Sequence, residues 1–179
     1  GYPARWPDAF RTLLGALSRG PVAVDVFLRT LRTLHEEVVE DVAEPAVAAR
    51  VKDAMRADCV GAIVEAWYSI LSHHREVAPE VAAACMHTLH PYVEWIDISL
   101  VATPRFLGLF SASLCSPPLH EGVCACLQAL ARKRMDASLK LRHLVALNLV
   151  ELLDEASRTS FGYAGLTEHV AALAAATSA

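Results

Sequence analysis

The densest chemistry in this sequence is basic. Arg132, Lys133 and Arg134 stand in a row, and Lys140 and Arg142 follow within a turn or two. Cations this close form a local patch able to gather phosphate, because each phosphate neutralised releases condensed counterions. The same row also suits the C-terminal end of a helix, where the macrodipole favours positive charge. Arg29 and Arg32 form a second row, which Glu36 and Glu37 are near enough to balance. Bulk charge does not make the chain a nucleic-acid binder, since its formal net charge is −4. Any such contact has to be local.

The reactive side chains give less. Five cysteines (Cys59, Cys85, Cys115, Cys124 and Cys126) are scattered through helical patterns. An odd, scattered set points to reduced thiols and not to a disulfide framework. Cys124 and Cys126 project about 200° apart on a helix and cannot share one metal. His87 and His90 have ligand-compatible spacing, but no neighbouring cysteine or acid completes a set. No Gly-rich phosphate loop is present. A Cys–His nucleophile pair stays open, although no catalytic signature surrounds any cysteine. Neither metal nor cofactor is expected, and the chain reads as a binding module, not an enzyme.

The elements that position these groups are helices. Pro7, Pro21, Pro45, Pro79, Pro104 and Pro117 each precede an apolar-periodic run, and proline at the first helical position forfeits only a donor that was unpaired anyway. Thr103 and Ser116 are expected N-caps. The spacing predicts helices over residues 7–18, 21–39, 79–96, 104–114, 117–133 and 163–176. Further helices begin near Pro45, Val60 and Asp136. Pro91 should kink or split its helix after His90. No run alternates with period two for long enough to suggest strands. Helix pairs recur at roughly 40 residues, the period of HEAT-type repeats, whose units bury their apolar faces only by stacking. The expected fold is therefore all-α, a HEAT-repeat solenoid of antiparallel helix pairs, with a compact helical bundle as the competing architecture. The expected segments are 1–40, 45–96, 104–134 and 136–177, together one piece (1–179) of a longer protein. No apolar run is long enough to span a bilayer.

The stretch Glu94-Trp95-Ile96-Asp97-Ile98-Ser99-Leu100 is expected to organise the rest. A large aromatic at a helix end can wedge between helical layers, and Asp97 can cap or hydrogen-bond backbone groups that the ending helix leaves free. Trp67 and Trp95 are expected to be mostly buried between repeats.

Several motifs carry a resemblance. They are Tyr2-Pro3 with Trp6-Pro7 and Phe10, Lys52-Asp53-Ala54-Met55-Arg56, and Val64-Glu65-Ala66-Trp67-Tyr68-Ser69-Ile70-Leu71. To these add Tyr92 through Leu100 with Arg105-Phe106, Cys124-Ala125-Cys126-Leu127, Lys133, and Met135-Asp136 with Lys140-Leu141. In this order and spacing they resemble the exportin-T (tRNA exportin) family of the importin-β superfamily. The chain departs from that family at Pro91, and at Arg134, where glycine usually ends the helix.

The resemblance implies a HEAT solenoid that binds tRNA cooperatively with Ran-GTP. It implies shuttling between nucleus and cytoplasm through contacts with nuclear pore proteins. It also implies that the second helix of each pair, at 21–39, 79–96, 117–133 and 163–176, lines the cargo side. A HEAT exportin or scaffold with a protein cargo is the alternative.

Overall fold

The computed structural model describes residues 2–40, 44–146 and 148. Proline opens five of its helices: α2 (Pro21–Leu34), α3 (Pro45–Asp58), α5 (Pro79–Val93), α6 (Pro104–Leu114) and α7 (Pro117–Arg132). The others are α1 (Ala9–Ala16), α4 (Val60–Val77) and α8 (Ala137–Ala146). No strand occurs among the described residues. Thr103 caps α6, its hydroxyl accepting from the Phe106 amide at 3.4 Å. Asp136 caps α8, accepting from the Leu139 amide at 3.0 Å. Ser116 makes no side-chain cap bond. There the proline itself forfeits one of the first-turn donors a cap would serve. The chain beyond α2 continues as a π-helical turn, His35–Glu40. The expected helix at 163–176 lies outside the described residues.

The helices stack in two layers. One layer runs α1, α4, α6, and the other runs α2, α5, α7. Each helix of the first layer packs on its successor in the second: α1 on α2, α4 on α5, α6 on α7. Helix α3 leads into the α4–α5 pair and packs on α4. This repeated pairing, each pair resting on its neighbours, is the HEAT-type solenoid arrangement.

Apolar periodicity dictates the interface between layers. Phe27 and Leu31 of α2, Trp67 and Leu71 of α4, Met86 and Leu89 of α5, Phe106 and Phe110 of α6, and Val123 and Leu127 of α7 are all buried. Tyr92 of α5 links three elements. Its hydroxyl donates to the Leu31 carbonyl of α2 at 2.8 Å. Its ring lies 5.2 Å from Trp67 and 5.5 Å from His35, centroid to centroid. In the first layer Arg105 pairs with Glu65 and stacks over Tyr68 at 4.6 Å, joining α6 to α4.

Helices α5 and α7 approach each other closely. A Cβ added at Gly122 would stand 2.6 Å from the Met86 Cβ. Glycine there lets the second-layer helices close on each other.

Two substitutions test this packing. Trp67 is fully buried, so Trp67→Ala is expected to cost about 3–5 kcal/mol in denaturant unfolding. A glycine-to-alanine change within a helix ordinarily stabilises. At Gly122 the sign should reverse, to a loss of about 1–3 kcal/mol, because the new methyl overpacks the interface. A stabilised Gly122→Ala protein would show that α5 and α7 are not in close contact.

Candidate nucleic-acid interface

A helix that ends leaves carbonyls without intrahelical donors. At the end of α5 the last helical carbonyl and the two that follow it are met by cations from two distant segments. The Lys133 ammonium, just past α7, donates to the Val93 carbonyl at 2.7 Å and the Glu94 carbonyl at 2.9 Å. Arg56 of α3 donates from Nη2 to the Trp95 carbonyl at 3.0 Å, and from Nη1 to Asp53 at 2.7 Å. Burial lowers the Lys133 pKa below the usual lysine value, while Asp97 and Glu94 oppose that shift.

Asp97 and Pro91 depart from expectation. Asp97 does not serve the helix that ends. It caps the next turn, Ile98–Leu100, accepting from the Ser99 amide at 2.8 Å and the Ser99 hydroxyl at 2.7 Å. A carboxylate can only accept, and the groups left over by α5 are carbonyls. Trp95 is mostly buried, as expected, and packs against the core from its edge. Its ring lies 5.3 Å from Tyr92, with the Arg56 guanidinium at 5.3 Å and the Lys52 ammonium at 5.9 Å from its centroid. Pro91 does not split the helix. It lies inside α5, in the last turn before Val93, where its missing N–H removes one bond and few remain beyond it to lose.

Two clefts flank α5 in the second layer. One, of about 310 Å³, is lined by His90, Glu94, Gln128, Ala129, Arg132, Lys133 and Arg134. The other, of about 470 Å³, is lined by Arg32, His35, Glu36, His87, His90 and Pro91. His90 belongs to both. Arg132 and Arg134 are exposed and make no ion pair among the described residues. Arg32 is paired with Glu36 at 2.7 Å, and Arg29 with Asp25 at 2.9 Å, so Glu37 balances neither. Both pairs are largely exposed, where such contacts contribute little. Lys140 and Arg142 lie on α8 and are not among the lining residues. The sequence reading missed Lys52 and Arg56 as cations of this corner. Their i,i+4 spacing on one face of α3 was the available signal.

One Cys–His contact exists. His120 Nε2 lies 3.7 Å from Cys124 Sγ, and its Nδ1 is 2.8 Å from the Leu114 carbonyl. This has the form of a nucleophile and its base. Cys124 is buried, however, and burial pushes its thiol up to about 11, the opposite of activation. Cys85 and Cys126 are fully buried, their thiols facing the Trp67 and Met86 carbonyls at 3.8 Å. No group of three potential ligands able to hold a metal occurs among the described residues.

Stacked antiparallel helix pairs make this chain an all-α, helical-repeat solenoid. A model of the exportin 1-like protein family matches residues 1–127. Exportin-T of Arabidopsis thaliana is 37% identical over 157 residues, 83% of this chain and 16% of that protein. Exportin-T of Homo sapiens is 34% identical over 146 residues, covering 79% of this chain and 15% of its own length. Exportin-T of Dictyostelium discoideum is 34% identical over 158 residues, 86% of this chain and 14% of that protein. The chain belongs to the exportin 1-like family, within the importin-β superfamily, and spans about a sixth of the length of the curated relatives it matches. These are exportins, not enzymes, so Cys124–His120 is read as packing.

Thiol accessibility tests that reading. Cys115 is exposed, and Cys59, Cys85, Cys124 and Cys126 are buried. A thiol-reactive reagent at neutral pH should label one cysteine in the folded chain and five after denaturation. Rapid native labelling of Cys124 would restore it as a candidate nucleophile.

Proposed function

We propose that this chain is part of a nuclear export receptor that binds tRNA cooperatively with Ran-GTP. The receptor shuttles between nucleus and cytoplasm and engages nuclear pore proteins on the way. The reading starts from membership of the exportin 1-like family and from similarity to exportin-T over most of the chain. The observation that carries the nucleic-acid part is the cleft between α5 and α7, with Arg132 and Arg134 exposed at its rim and without an ion pair among the described residues. Lys133 belongs to the same cluster, and Lys140 and Arg142 extend it along α8. Arg29 and Arg32 form a secondary row across the neighbouring cleft.

The chemistry suits a receptor for all tRNAs. Cations meeting phosphates supply affinity that falls with salt and carries little sequence information. RNA helices are recognised largely through shape and backbone. No helix among the described residues is long and apolar enough to cross a membrane. Glu36 and Glu94 line the same two clefts as the cations, and this mixed charge is the observation that favours a protein cargo as the second reading.

The experiment is an electrophoretic shift of tRNA by the full-length receptor, with and without Ran-GTP. Changing Arg132, Lys133 and Arg134 together to Ser should weaken Ran-GTP-dependent binding tenfold or more, roughly 1.4 kcal/mol. The salt dependence should become shallower. Unchanged affinity and slope would reduce the cluster to a helix-end feature. An absence of any Ran-GTP-dependent shift by the wild-type receptor would favour the protein-cargo reading.

A further inference from the structure

We propose that Lys133 is not a phosphate contact but the positioning residue of the α5–α7 cleft. It holds Arg132 and Arg134 in the register from which they meet an RNA backbone. The inference rests on the tRNA reading above and refines it at one residue.

Three observations carry it. The first is donor use. Two of the three ammonium protons are committed, to Val93 O at 2.7 Å and Glu94 O at 2.9 Å. The second is exposure. Lys133 is half-buried, while Arg132 and Arg134 on either side are exposed and without ion pairs among the described residues. The third is backbone. Helix α7 ends at Arg132, and Lys133 turns extended, with φ −53° and ψ 128°. The two arginines therefore sit on opposite sides of a change in chain direction. The lysine tie pins that turn to the end of α5.

The charges around Lys133 come from every neighbouring element. Glu94 follows α5, Asp97 lies in the loop beyond it, and Arg56 projects from α3. If Lys133 left this site for a phosphate, two carbonyls would lose their donor. The negative end of the α5 dipole would then face the incoming anion unshielded. A lysine that serves the cargo best by staying on the carbonyls is a positioning residue.

Salt dependence separates the two roles. A cation that touches phosphate adds to the slope of log affinity against log salt, and its loss makes the slope shallower by roughly 0.7–1. A positioning residue changes affinity without changing the slope. The comparison uses the full-length receptor with Ran-GTP and tRNA, as wild type, Lys133→Met, Lys133→Arg and Arg132→Ser. Lys133→Met should bind several-fold more weakly at the wild-type slope and exchange its 95–100 amides faster. Lys133→Arg should recover most of the affinity. Arg132→Ser should bind with a shallower slope and wild-type exchange. If Lys133→Met does not fold, Lys133→Gln keeps a neutral donor, and its slope should stay at the wild-type value.

A shallower slope in Lys133→Met or Lys133→Gln would overturn the positioning role alone. So would unchanged affinity. A wild-type receptor that binds no tRNA would overturn the receptor reading and this inference with it.

Discussion

The structure depends on how the last carbonyls of α5 find donors. This helix is the middle member of the second layer and packs on α2, α4 and α7. A helix end leaves carbonyls without intrahelical donors, and partners from other elements fix where that end lies. Tyr92 fixes the last turn from inside, donating to Leu31 of α2. Lys133 and Arg56 fix it from outside, reaching from the end of α7 and from α3. One helix terminus thus records the positions of three other elements. A solenoid needs such ties, because each repeat contacts only its neighbours and no closed core enforces the stacking angle.

Much of this was legible in the sequence, for local reasons. Proline starts and 3.6-residue stripes depend only on the chain near them, and they placed α2, α3, α5, α6 and α7 at their observed first residues. The Lys52–Arg56 motif and the Trp95 stretch were each picked out by resemblance. Their meeting in space was not visible, because nothing local says that α3 turns its two cations onto Trp95. A tryptophan beside an apolar run reads as buried, and Trp95 is, but part of its cover comes from cations whose stems and heads tolerate water. Gly122 carried no signal at all, since a mid-helix glycine looks like a weak helix former until the opposing Met86 is known.

The cations also illustrate why charge rows in sequence are ambiguous. Arg132, Lys133 and Arg134 are adjacent in the chain, yet the helix end sorts them. The middle one turns to backbone carbonyls, and the outer two face solvent. Arg29 and Arg32 are sorted differently, each paired within its own helix. Sequence proximity gave one patch of five and one of two. The fold leaves Arg132 and Arg134 as the rim cations without an ion pair among the described residues.

That sorting sets the kind of anion this edge can hold. The cations stand at helix C-terminal ends, where the macrodipole opposes anions, and Glu94 lies in the same cleft. A single phosphate would meet two arginines against a carboxylate and a helix dipole, in a region open to solvent and screened by salt. A ligand gains from such a site only when it offers many phosphates at once, so that weak contacts along one rigid backbone add without repeated loss of translational freedom. A folded RNA has that property, and a mononucleotide does not. The Lys133 tie at the end of α5 fixes where α7 ends along that edge, and with it where Arg132 and Arg134 stand.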